Sequence, residues 1–151
     1  MARLSINPTK KEYLQSLYKH LSIQSILDIK AVNGEVTESV LHNLLNMSSS
    51  SWTVFYGDRL AYTGFIMTSD IEECSVFVVS TSLGYSDKDA MQKSFSGIIK
   101  DLPNYNFYSI VYKGNHQYAK LLKDNGFTFI RDLVHGVEKR SFLLLGKLKN
   151  E

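Results

Sequence analysis

Glu72 and Glu73 stand side by side just ahead of a strand-like run, where a carboxylate can take a proton from an amine through a water molecule. A pair of solvated turn residues is the plainer reading of the same two positions. Tyr118 carries a phenol able to donate a proton, although an aromatic at the edge of a core is the plainer reading of its spacing. His20, His42, His116 and His135 lie far apart with no ligand-like spacing, so no metal site is expected. Cys74, the single cysteine, excludes an intrachain disulfide, and no His or Asp arrangement marks it as a nucleophile. No phosphate-binding Walker loop, paired-Cys motif or nucleophile elbow occurs.

The elements that would position these groups can be read in order. Ala2 to Asn7 alternates as a short strand, and Asn7-Pro8 suits a helix start. Tyr13, Leu14, Leu17, Tyr18 and Leu21 keep helical spacing, and a second helix is expected from Ile23 to Val32, with Ile26, Leu27 and Lys30 at helical intervals and Asn33-Gly34 as its stop. Thr37 opens a third helix with Val40, Leu41, Leu44 and Leu45 as its stripe, and Ser48 to Ser51 is a polar break. Trp52 to Tyr56 and Leu60 to Met67 form a hairpin around Gly57-Asp58, with a further turn at Ser69-Asp70.

Ser75 to Thr81 reads as a strand buried on both faces. Beyond Gly84, Asp87 begins a helix with Met91, Phe95, Ile98 and Ile99 inward, and Pro103 follows its end. Phe107 to Tyr112 is a β-branched and aromatic strand, and Asn115 caps a helix with Tyr118, Leu121 and Leu122 on one face. Gly126 ends that helix, Phe127, Phe129 and Ile130 start a strand, Gly136 turns it, and Ser141 to Leu148 is the last.

That order implies one α/β domain spanning 1–151, a mixed sheet with helices laid over it. Hydrophobic residues at 44% and charged residues at 21% allow a core of ordinary size. A net charge of +2 with scattered Lys and Arg gives no nucleic-acid signature. No apolar run approaches the ~20 residues of a membrane span, and Met1 to Pro8 lacks a signal-peptide core, so a soluble, unsecreted protein is expected.

Asn115, Ala119, Gly126 and Phe127 resemble the closing segment of the GNAT N-acetyltransferase superfamily, with an Asn, an Ala four residues on and a Gly-Phe pair. The resemblance implies the acyl-CoA N-acyltransferase fold, a mixed, mostly antiparallel sheet with helices on both faces. It also implies a cleft between splayed fourth and fifth strands for acetyl-CoA. In that setting the amides of Val78, Val79 and Ser80 would hold the pantetheine arm, Gly84 and Asn115 would flank the cofactor, and Glu72 or Glu73 would serve as base. The family places its pyrophosphate on a Gln/Arg-x-x-Gly-x-Gly/Ala loop at a helix N-terminus. Here the loop is Ser80-Thr-Ser-Leu-Gly84-Tyr-Ser-Asp87, with one glycine, no initial Arg or Gln, and an acid where phosphate would sit. Many members place a Tyr seven residues after the Asn to protonate the departing thiolate; that position is Leu122.

Phe77 to Ser80, Val111 to Asn115 and Lys120 to Gly126 are similar to the small internal virion protein of podophages, as is the upstream order Ile26 to Ala31, Ser39 to Leu45 and Ser51-Trp52. This resemblance implies a non-enzymatic assembly role through contacts with portal, core or tail proteins, with no cofactor and with self-association compatible. Its setting would be the virion and, during assembly, the cytoplasm of the bacterial host. An N-acetyltransferase with an atypical cofactor loop is the alternative.

Overall fold

The computed structural model describes residues 3–69, 72–102 and 104–149. The expected strand start at Ala2, the Asp70 half of the turn and the Pro103 stop lie outside the described residues. Among the described residues the chain runs β1 (Leu4–Pro8), α1 (Lys11–Lys19), α2 (Ile23–Asn33), α3 (Glu38–Met47), β2 (Ser50–Tyr56), β3 (Arg59–Thr68) and β4 (Glu73–Ser80). A short 3-10 turn (Gly84–Ser86) leads to α4 (Lys88–Lys100), β5 (Asn106–Tyr112), α5 (His116–Asp124), β6 (Thr128–His135) and β7 (Arg140–Lys147).

The seven strands form one sheet in the order β1-β2-β3-β4-β5-β7-β6. Every neighbouring pair is antiparallel except β4 and β5, which are parallel. This is the mixed sheet that the order of elements implied. Consecutive strand residues face opposite sides, so Val78 enters one core and Val79 the other. On the Val78 side α4 contributes Met91, Phe95 and Ile99, and α5 contributes Tyr118, Leu121 and Leu122. On the Val79 side α1 contributes Leu14 and Leu17, α2 Ile29, and α3 Val40 and Leu41. Burying each large apolar side chain of this kind contributes about 1.5–3 kcal/mol, which is what holds the helices to both faces.

Several expectations need correction. Pro8 does not start a helix: it ends β1, opposite Trp52, and α1 begins at Lys11 behind Lys10, which makes no side-chain cap. β1 is a sheet edge, and a proline without an N–H is tolerated there. The polar run Ser48 to Ser51 is only partly a break, because Ser50 and Ser51 pair with Ile66 and Phe65. β4 begins two residues before Ser75, so Glu73 lies within the strand and Glu72 outside it. Phe127 is buried ahead of β6, whereas Phe129 and Ile130 inside β6 are exposed, since β6 is the other edge.

α2 departs most. It runs from Ile23 to Asn33 and ends on Gly34, as the Asn-Gly stop implied, but it is turned about its axis. Ser25, Asp28, Ile29 and Ala31 are buried, while Ile26 and Leu27 face out. The parted strands beneath this helix explain the inversion.

Candidate active-site cleft between β4 and β5

β4 and β5 pair over three residues only, Glu73 with Asn106, Cys74 with Phe107 and Ser75 with Tyr108, and then separate. Separation strands the peptide groups along both inner edges, and each buried one needs a partner. On β4 the groups facing β5 belong to alternate residues, Val76, Val78 and Ser80, the set to which the Val76 carbonyl and the Ser80 amide belong by their bonds on that side.

Other parts of the chain take the Val76 carbonyl and both Ser80 groups. Ser109 Oγ donates to the Val76 carbonyl at 2.7 Å, and Tyr118 Oη donates to the same oxygen at 3.1 Å. The two hydroxyls lie 2.8 Å apart. Tyr118 is wholly buried, with its ring edge-on to Phe77 at 6.5 Å. Burial first of all, opposed by the Ser109 hydrogen bond, drives its phenol far above the ordinary value.

Further along, the Ser80 amide donates to Ser25 Oγ at 2.8 Å, and its carbonyl accepts from the Ser22 amide at 2.9 Å. On the β5 side, Asp28 accepts from the Tyr112 amide at 3.3 Å and from Asn115 Nδ2 at 2.6 Å. Ser22, Ser25 and Asp28 fall at i, i+3, i+6, one side of α2, so a single helix bridges both parted edges. Burial raises the Asp28 carboxyl to about 6, although its bonds to Asn115 and Tyr112 pull the other way.

Three amides of the loop after β4 likewise have partners within it. The Leu83 amide donates to Thr81 Oγ1 at 3.2 Å, the Gly84 amide to the Thr81 carbonyl at 3.1 Å, and the Ser86 amide to the Leu83 carbonyl at 3.0 Å. Asp87 Oδ1 accepts from the Ala90 amide at 3.0 Å and so occupies the N-terminus of α4 with a carboxylate. Gly84 is required by close packing: a Cβ there would meet the Ala61 carbonyl oxygen at 2.9 Å. Its own carbonyl accepts from Tyr56 Oη at 2.8 Å.

Two open cavities flank the plug. One, about 240 Å³, lies between α4 and α5 and is lined by Tyr85, Lys88, Met91, His116 and Leu121. The other, about 460 Å³, lies on the opposite side of the sheet and is lined by Leu44, Met67, Glu73, Phe77, Ser109 and His135. Tyr118 stands between them, bonded to two groups of the second, Val76 and Ser109, and flanked on α5 by residues of the first.

The remaining sequence candidates are placed as follows. Glu73 is half-buried at the mouth of the larger cavity, whereas exposed Glu72 pairs with Lys149 at 2.8 Å. Leu122 is buried in the α5 core. Asn115 caps α5 by accepting from the Tyr118 amide at 3.3 Å while holding Asp28. Cys74 is buried, and burial pushes its thiol up to about 11. Among the described residues no cluster of His, Cys, Asp or Glu is suited to a metal ion, and no helix is long and apolar enough to cross a membrane. Ser22, Ser25, Asp28 and Ser109 were missed by sequence reasoning. The signal available for the first three was a polar stripe every third residue in an otherwise aliphatic helix.

No protein-family model matches this chain, and no curated protein matches it in sequence. Solved structures do. The Escherichia coli ribosomal-protein-S18-alanine N-acetyltransferase superposes with a TM-score of 0.72 at 10% identity, covering 96% of this chain and 93% of that one. A GNAT-family acetyltransferase from Bacillus anthracis gives 0.75 at 14% identity, covering 100% and 98%. Ard1 from Thermoplasma volcanium gives 0.73 at 11% identity, covering 95% and 96%. The chain therefore has the GNAT acetyltransferase fold over nearly its whole length. Identities this low establish the fold alone.

Proposed function

We propose that this protein is a non-catalytic member of the fold, built into the particle of a short-tailed bacteriophage and acting through contacts with other virion proteins. The observation that carries the non-catalytic half is the occupied cleft. Tyr118, Ser25 and Asp28 bond the Val76 carbonyl and the Ser80 and Tyr112 amides on the strand edges a pantetheine arm would line, and Asp87 takes the Ala90 amide and sets a carboxylate at the helix N-terminus a diphosphate would meet. A bound coenzyme would have to displace hydrogen bonds already made in a buried setting, and Asp87 would repel its phosphates. The virion half rests on the resemblance carried by Phe77 to Ser80, Val111 to Asn115 and Lys120 to Gly126.

Two experiments test it. Crystals grown with millimolar acetyl-CoA are expected to show Tyr118 unmoved and no diphosphate on the Leu83 to Ala90 amides; a seated diphosphate would overturn the non-catalytic reading. Mass spectrometry of purified phage particles is expected to find the polypeptide among the structural proteins, and its absence from them removes the virion assignment.

A second reading keeps acetyltransferase activity with an atypical cofactor loop. It is favoured by the retained parting of β4 and β5 and by Glu73 at the mouth of the larger cavity. It requires Tyr118 to swing out, and the same crystals would record that movement.

A further inference from the structure

α2 is polar on its inner side because the parted strands need hydrogen-bond partners, and Ser22, Ser25 and Asp28 supply them. That duty does not dictate the outer side, where a solvated helix ordinarily carries charged residues. Here the outer side holds Ile23, Ile26 and Leu27, exposed by 73%, 38% and 40%. They fall at i, i+3, i+4, the spacing by which helices present anchors to one another. Tyr18 of α1 extends the patch, and a groove of about 410 Å³ beside it is lined by Tyr18, Lys19, Leu21, Ile26 and Val36.

Charge says what fits. Lys19 is the one charged residue lining the groove, and it precedes the stripe as Lys30 follows it. Both are exposed, and neither pairs with an acid among the described residues. We propose that this α1–α2 surface docks an amphipathic helix of a partner protein, apolar along one side and acidic where it meets Lys19 and Lys30. A second copy of this chain is disfavoured. In an antiparallel two-fold pairing centred on Ile26 and Leu27, Lys30 of one copy meets Ile23 of the other. In a parallel pairing, Lys30 meets Lys30. Neither arrangement gives Lys30 an acid to meet.

The probes are two end-blocked helical peptides of roughly 16 residues. Both carry leucines at i, i+3, i+4 and i+7; one has glutamates on its remaining surface and the other lysines. Fluorescence anisotropy with the full chain is expected to show the acidic peptide bound at least ~10-fold more tightly. Ile23→Asp and Ile26→Asp should abolish binding, and the double variant Lys19→Glu/Lys30→Glu should reverse the preference. Ile23 is mostly exposed, so its variant is expected to fold, and an unchanged thermal melt verifies that. Equal binding of the two peptides, or none by either, overturns the proposal. A dimer in sedimentation equilibrium that Ile26→Asp dissolves also overturns it, because the occupant would then be a second copy. No coenzyme enters this assay, so its outcome is independent of whether the cleft binds one.

Discussion

Tyr118 and Asp28 set the character of the cleft, and each makes a separable prediction. Tyr118→Phe keeps the ring and removes the hydroxyl, leaving Val76 bonded to Ser109 alone; urea unfolding should register a loss of about 1 kcal/mol. Tyr118→Ala opens a void between the two cavities and should cost about 3–5 kcal/mol by the same measurement. Asp28 predicts a pH dependence whose sign follows from its raised carboxyl. Between its unfolded value of 3.8 and about 6, the folded protein holds a proton that the unfolded chain has released. Stability from this group is therefore full below 3.8 and falls as pH rises through 6, by up to about 3 kcal/mol. Asp28→Asn should flatten that portion of the profile in urea melts at pH 4, 5, 6 and 7, whatever it does to the absolute value. An unaltered slope would mean that another group carries it. Neither residue's part in the cleft was legible from sequence. Tyr118 could be read only as a proton donor or a core aromatic, because which carbonyl its hydroxyl reaches depends on where two parallel strands part.

Among the elements, α5 and its exit were the most legible. Asn115 caps it, and Gly126 follows its end at φ +90°. The Phe127 amide donates back to the Leu122 carbonyl at 3.1 Å, the bond that typifies a left-handed helix stop. Gly126→Val should lower stability by about 1–3 kcal/mol, because a β-branched residue resists positive φ; an unchanged melting temperature would contradict that backbone role. α2 was legible in extent but not in orientation. Helical spacing assumes that the apolar residues lie inside, and here the interior at this point is the frayed margin of two strands, whose polar needs outweigh the burial of Ile26 and Leu27. Pro8 was misread for a related reason: only the sheet order reveals an edge strand that can forgo an N–H.

At the scale of the molecule, the succession of strands and helices was enough to imply the mixed sheet. That succession matches solved acetyltransferases along nearly the full chain at identities of 10 to 14%. Fold survives such divergence because any apolar residue of suitable volume can fill a core position. Coenzyme binding makes a narrower demand, for particular amides left available, and its proposed loss here rests on how those amides are used. In this molecule the Leu83, Gly84, Ser86 and Ala90 amides and the Ser80 amide all have partners of their own. Titration calorimetry of the intact protein with acetyl-CoA tests that claim most directly. A flat isotherm up to millimolar ligand is the expected result, and a saturable micromolar isotherm would contradict the account.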